Sequence, residues 1–174
     1  MARNDTILLD GIIEDRIEND LPSNDKGEVF EYLVLEQILK EYDLSFDEIE
    51  SGWVDGGHDG GIDGFYILVN GHLLQDVNDF VWPKKGIDLS VYIITCKHHD
   101  TYKQAVLESL ISTVNEFLDL RISNDNLKGE YNEDVLIKRV HLISAYKNLL
   151  QRLIHLIFFI SMPLEVNQKT LVIP

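Results

Sequence analysis

Cysteine occurs once in the 174 residues, at Cys96, so no disulfide can close within the chain and a small disulfide-stapled scaffold is excluded. Long apolar runs are missing too. The longest, around Leu153 to Ile160, is broken by His155 and falls far short of the roughly 20 residues that span a bilayer, so no membrane segment is expected. The opening Met1-Ala2-Arg3-Asn4-Asp5 lacks the basic-then-apolar layout of a signal peptide, and a reducing, cytoplasmic setting is the expectation. Positive charge is in deficit as well: 15 Lys and Arg stand against 30 Asp and Glu, a formal charge of −15. That balance argues against nucleic-acid binding by general attraction, which depends on Lys and Arg displacing counterions from phosphates.

The deficit is uneven. Residues 1–63 hold 18 acids and 4 bases, whereas residues 64–174 hold 12 acids and 11 bases, so nearly all the excess acidity lies in the first third. With 45% hydrophobic residues, no repeat and no long linker, the chain is expected to form one unit with a substantial core.

Residues 5–20 suit a partly amphipathic helix or helix pair, with Ile7, Leu8, Ile12, Ile13 and Ile17 on its apolar side and Gly11 interrupting it. Asp25 and Glu28 have capping-box spacing, and Phe30, Leu33, Val34 and Ile38 recur at helical period to about Glu41. A polar loop then leads to Trp53-Val54 and the glycine-dense stretch Asp55 to Gly64, which is no regular helix. Phe65 to Val69, Asn70-Gly71 and His72 to Gln75 read as a hairpin, and Ser90 to His98 as a buried strand. Helices are expected over Thr101–Leu120 and Asn132 to about Gln151, followed by a strand over Leu153–Ser161. The order suits an α/β sandwich with a mixed sheet.

Three polar residues punctuate these elements: Glu31 on the first clear helix, Asp63 before the hairpin, and Lys97 near the end of the following strand. Their order, with Phe30-Glu31-Tyr32, Asp59-Gly-Gly-Ile-Asp63-Gly-Phe-Tyr-Ile67 and Ile93-Ile-Thr-Cys-Lys97, resembles the PD-(D/E)xK nuclease superfamily over about residues 26–120. The closest likeness is to Mrr-like restriction endonucleases and the N-terminal region of abortive-infection phage-resistance proteins. The resemblance implies a restriction-endonuclease-like core, a mixed β-sheet flanked by helices, over residues 26–174, with residues 1–25 as a helical extension.

It also implies a metal-dependent nuclease acting on DNA or RNA, with DNA the first expectation, in restriction or phage defence. Asp63, the Cys96 carbonyl and Glu31 would hold Mg²⁺ or Mn²⁺, an oxygen-ligated ion that commonly uses only one or two carboxylates. Lys97 would orient the attacking water or offset charge on the phosphate. Apart from the resemblance, His98 and His99 beside Lys97, with Lys103, are either contacts to a phosphate backbone or ordinary strand-end polar residues, and Gln104 on the following helix is a candidate for the cleft; a homodimer or an additional C-terminal domain is the expected partner. The chain departs from the family at Thr95, a neutral hydroxyl where the family carries Asp, Glu or Gln; a non-catalytic binding or assembly module is therefore the alternative.

Competing motifs fare worse. Asp55, Asp59 and Asp63 fall at positions one, five and nine of a Ca²⁺ loop, but position twelve is Tyr66 and the bidentate glutamate is missing. His58, His98 and His99 lack paired Cys/His spacing for zinc, and Cys96 reads as a buried strand residue. Ser109 and Ser112 have no nucleophile elbow around them.

Overall fold

The computed structural model describes residues 3–19, 22–54, 56–96, 104–161 and 170–173. It is an α/β fold. Five strands form one mixed sheet in the order β2-β1-β3-β4-β5, where β1 is Gly64–Val69, β2 His72–Leu73, β3 Ile87–Ile94, β4 Leu153–Ser161 and β5 Thr170–Ile173. The pairs β1/β2, β1/β3 and β4/β5 run antiparallel, while β3/β4 is parallel. A parallel pair needs a long crossover, and here helices α4 (Gln104–Leu118) and α5 (Glu133–Leu149) provide it.

Side-chain alternation sorts the sheet into two cores. Phe65, Ile67 and Val69 of β1 with Ile87, Leu89, Val91 and Ile93 of β3 pack against Leu110, Val114 and Phe117 of α4 and Val135, Leu142, Ala145 and Leu149 of α5. On the opposite face Tyr66, Leu68, Tyr92 and Ile94 meet α2 (Lys26–Leu39), through Val29, Phe30, Leu33 and Leu35 among others. The result is three layers, helices on both sides of the sheet.

Local signals explain most boundaries. Asp25 caps α2, its side chain accepting from the amides of Gly27 and Glu28. Asn70 and Gly71 both adopt positive φ, 52° and 82°, as the two central residues of a type I′ hairpin turn do. Asn132 caps α5 through the amide of Val135 at 3.0 Å.

Several expectations are corrected. Gly11 does not break the first helix: α1 runs unbroken over Arg3–Glu18, held to α2 by buried Ile13 and by an Arg16–Glu36 ion pair of 2.7 Å. The supposed polar loop after Asp43 contains helix α3, Phe46–Gly52, started by a capping box between Ser45 and Glu48. The third strand is displaced toward the N-terminus, covering Ile87–Ile94 rather than Ser90–His98, because its pairing with β1 runs from Leu89 opposite Val69 to Ile94 opposite Gly64. The returning hairpin strand stops at Leu73, and the tail supplies the edge strand β5. Residues 97–103 lie outside the described segments, so the expected sites at Lys97, His98, His99 and Lys103 and the start of the following helix do too.

Candidate functional site

The glycine-dense segment is a compact turn that delivers Asp63 to the mouth of β1. Asp59 acts as a turn residue, its Oδ1 accepting from the Gly61 amide at 2.6 Å, while Gly60 and Gly61 adopt φ of 69° and 82°. The chain then enters the sheet at two points: the Asp63 amide donates to the Ile94 carbonyl at 2.8 Å, and the Asp63 carbonyl accepts from the Val54 amide at 3.0 Å. Trp53 bridges to Gly64 alongside.

Asp63 is buried, at 7% exposure. Its Oδ2 accepts from the Thr95 hydroxyl at 3.2 Å and, closely, from the Cys96 amide. Residues 32 positions apart in the sequence thus meet around one carboxylate. Thr95 is itself held in place, its amide donating to the Ser161 carbonyl at the end of β4 at 3.0 Å. Cys96 is fully buried in the core on the α2 side, as expected for its thiol, although it sits just past the end of β3.

Glu31 is placed by α2, half-buried, with its Oε2 accepting from the Trp53 indole Nε1 at 3.2 Å. Trp53 neighbours the Asp63–Gly64 strand entry, so the indole links Glu31 to the turn. By alternation Asp63 and Thr95 belong to the α4/α5 side of the sheet, whereas Glu31 comes from the helix on the other side. Gln104, at the first position of α4, is exposed and donates to Glu108 at 2.7 Å. Lys84 and Lys85 precede the start of β3, a strand length of roughly 25 Å from its Asp63 end, and do not join the site.

Partners that periodicity does not reveal hold the turn from the α4/α5 side. The Thr113 hydroxyl of α4 donates to the Gly60 carbonyl at 2.9 Å. A Cβ on Gly60 would stand 2.6 Å from Thr113 Cγ2 and 2.9 Å from the Tyr131 ring, so the glycine is needed for space as well as for φ. The Asn132 amide donates to the His58 carbonyl at 2.8 Å. Lys138 of α5 reaches the Ser51 carbonyl at the end of α3, and burial pushes its ammonium below the usual lysine value against the opposing pull of Asp134. Trp53 was the one such residue with a local signal, an indole directly before the glycine run.

The ligand set these residues offer a hard cation is one buried carboxylate at a sheet end, since the Thr95 hydroxyl and the Cys96 N–H both donate to it. It is sparse, and among the described residues no three His, Cys, Asp or Glu side chains gather where an ion could sit. His58 is exposed, 4.0 Å from Glu130, and its partners in the zinc alternative lie outside the described residues. No described helix is long and apolar enough to cross a membrane. No family model, curated protein or solved structure matches the chain.

Proposed function

We propose that the protein is a PD-(D/E)xK-like nuclease with a restriction-endonuclease-like core, hydrolysing nucleic-acid phosphodiesters, DNA in preference to RNA, with Mg²⁺ or Mn²⁺. The observation that carries the proposal is the meeting of Asp63 with Thr95 and Cys96 beneath the glycine turn, because these are the positions that the motif order requires to converge. Asp63, with the main chain at Cys96 and with Glu31 through water, would hold the ion. When bound, the ion polarises the phosphodiester and lowers the pKa of a water. Lys97 follows directly on Cys96, and its ammonium would orient that water and offset charge developing on the phosphate. Thr95 contributes a hydroxyl that fixes one oxygen of Asp63.

The test is cleavage of supercoiled plasmid, linear DNA and RNA with Mg²⁺ or Mn²⁺. Asp63→Ala and Lys97→Ala are each expected to lower the rate by about 10²-fold or more. Absence of metal-dependent cleavage in the parent protein, or cleavage unchanged in both variants, overturns the proposal.

A second reading has its own support. Thr95 replaces a potential second carboxylate, and one carboxylate with a hydroxyl is a weak ion site. On this reading the fold serves as a non-catalytic binding or assembly module. A Mn²⁺ titration separates the two: no ion bound through Asp63 at millimolar concentration favours the module, and cleavage gained by Thr95→Glu marks it as a degraded enzyme.

A further inference from the structure

Helix α1 is apolar on two sides, and among the described residues only one is packed against a neighbour. Ile13, fully buried, faces α2 with Leu9 and Ile17 packed beside it. Turned outward are Ile7, Leu8 and Ile12, with 62%, 66% and 41% of their surface exposed. Gly11 lies between them, and a Cβ there would meet nothing within 4 Å. These residues line a shallow groove of about 640 Å³ that ends at Asp15 and Arg16. At helical spacing Leu8, Gly11, Ile12, Asp15 and Glu18 share one outward face, so the aliphatic stripe runs into carboxylates over the next turns.

The charge around the stripe decides between its occupants. Arg16 is engaged by Glu36 and Lys26 by Glu14, whereas Asp15 and Glu18 form no ion pair among the described residues. The first 63 residues carry 18 acids against 4 bases. A second copy would bring the same acidic surface to its own, and an anionic membrane would be repelled. An aliphatic stripe with an acidic continuation complements a helix that carries aliphatic residues on one side and Lys or Arg flanking them. A glycine in mid-helix costs stability relative to alanine, and at an open position between exposed aliphatics it allows a partner's backbone to approach closely.

We propose that the outward face of α1, centred on Leu8, Gly11 and Ile12, is a docking surface for a basic amphipathic helix of a partner protein. The proposal is independent of any nuclease activity.

The test uses the full chain and three labelled 18-residue peptides followed by fluorescence anisotropy: a Leu/Lys helix with amphipathic periodicity, the same composition scrambled, and the amphipathic sequence with Glu for Lys. The first is expected to bind at least about tenfold more tightly than the scrambled peptide, and the Glu version not at all. Leu8→Asp with Ile12→Asp is expected to weaken the first peptide at least about tenfold, with the circular dichroism spectrum unchanged because both side chains are exposed. Equal binding of the scrambled peptide, or binding unchanged in the double variant, overturns the proposal. So does a dimer in sedimentation that the double variant dissolves, which would make a second copy the occupant, or adsorption to phosphatidylglycerol vesicles lost in the same variant.

Discussion

On the α4/α5 face the sheet presents Phe65, Ile67, Val69, Leu89, Val91 and Ile93, mostly aliphatic, with Phe158 of β4 packed alongside, while on the α2 face it presents Tyr66, Leu68, Tyr92 and Ile94. The aromatic face spends its polar atoms on fastening helices. Tyr66 Oη donates to the Ile49 carbonyl of α3 at 2.7 Å, Tyr42 and Tyr92 share a hydrogen bond of 2.7 Å, and Tyr92 stacks on Phe159 with centroids 4.3 Å apart. Burial drives the phenols of Tyr66 and Tyr92 well above the ordinary tyrosine range, and that of Tyr32 to about 12, so all three remain neutral across the working pH range. The aliphatic face has no phenol to place in the sheet. Its polar contacts, from Thr113, Asn132 and Lys138, go instead to main-chain carbonyls of the turn and helix that precede Asp63. Both faces stabilise the fold; helices of the α4/α5 face also hold the turn that carries Asp63, whereas the α2 face reaches that carboxylate through Trp53 and the Cys96 amide.

The largest effect available to break that contrast is a cavity on the aliphatic side. Phe117 is fully buried, edge-on to Tyr131 at 4.6 Å, with the guanidinium of buried Arg139 5.9 Å from its ring centroid. Phe117→Ala is expected to cost about 3–5 kcal/mol in urea unfolding. Because Tyr131 also borders Gly60, the variant should loosen the turn as well, which on the proposed nuclease reading weakens Mn²⁺ binding in the protein that stays folded.

Two glycines provide a matched pair, one for each face. A Cβ on Gly52 would overlap the buried ring of Tyr66, whereas a Cβ on Gly60 would press Thr113 and Tyr131 from a residue at φ 69°. Each alanine variant is expected to cost about 1–3 kcal/mol through overpacking or backbone strain. If the proposed nuclease reading holds, only Gly60→Ala should also lower metal affinity or cleavage, since only Gly60 lies in the turn that carries Asp63. Equal loss at the site from Gly52→Ala would show that the two faces are not separable.

How much of this was legible in the sequence follows from the range of the forces involved. Helix α2 and the hairpin were readable because Asp25 and Asn70-Gly71 act on their immediate neighbours. Helix α3 was readable and missed: Ser45 and Glu48 form a capping box, but only a few residues follow it, with too little periodicity to register. The bounds of β3 and the existence of β5 come from pairing with distant strands, which no window of sequence contains. The same holds at the site. The motif order anticipated that Asp63 and Thr95 belong together, yet the roles of Thr113, 53 residues from Gly60, and Asn132, 75 residues from Gly57, had no local signature.

A smaller effect tests the aromatic face alone. Tyr66→Phe keeps the ring against Gly52 and removes only the hydroxyl, leaving the Ile49 carbonyl without that donor. A loss of about 1 kcal/mol is expected, and on the proposed nuclease reading Mn²⁺ binding is unchanged. A change in Mn²⁺ affinity would tie the aromatic face to the site through α3 and Trp53.

The smallest effect is a pH dependence on the α5 side. His141 has its Nδ1 buried without a hydrogen-bond partner among the described residues. Its pKa is held below the usual 6.5, first by burial and then by the charge of Lys138, with Asp76 pulling the other way. The unfolded chain therefore takes up a proton at higher pH than the folded one. Stability contributed by neutral His141 is full above about pH 6.5 and is lost as pH falls through the lower folded value. His141→Gln removes the titration while keeping a polar side chain, so the variant should lose less stability than the parent between pH 7.5 and 5.5, read as the shift in urea midpoint. Identical shifts in the two proteins would mean that the imidazole is solvated equally in both states. Lys138 would then reach Ser51 without imposing its charge on the rest of α5.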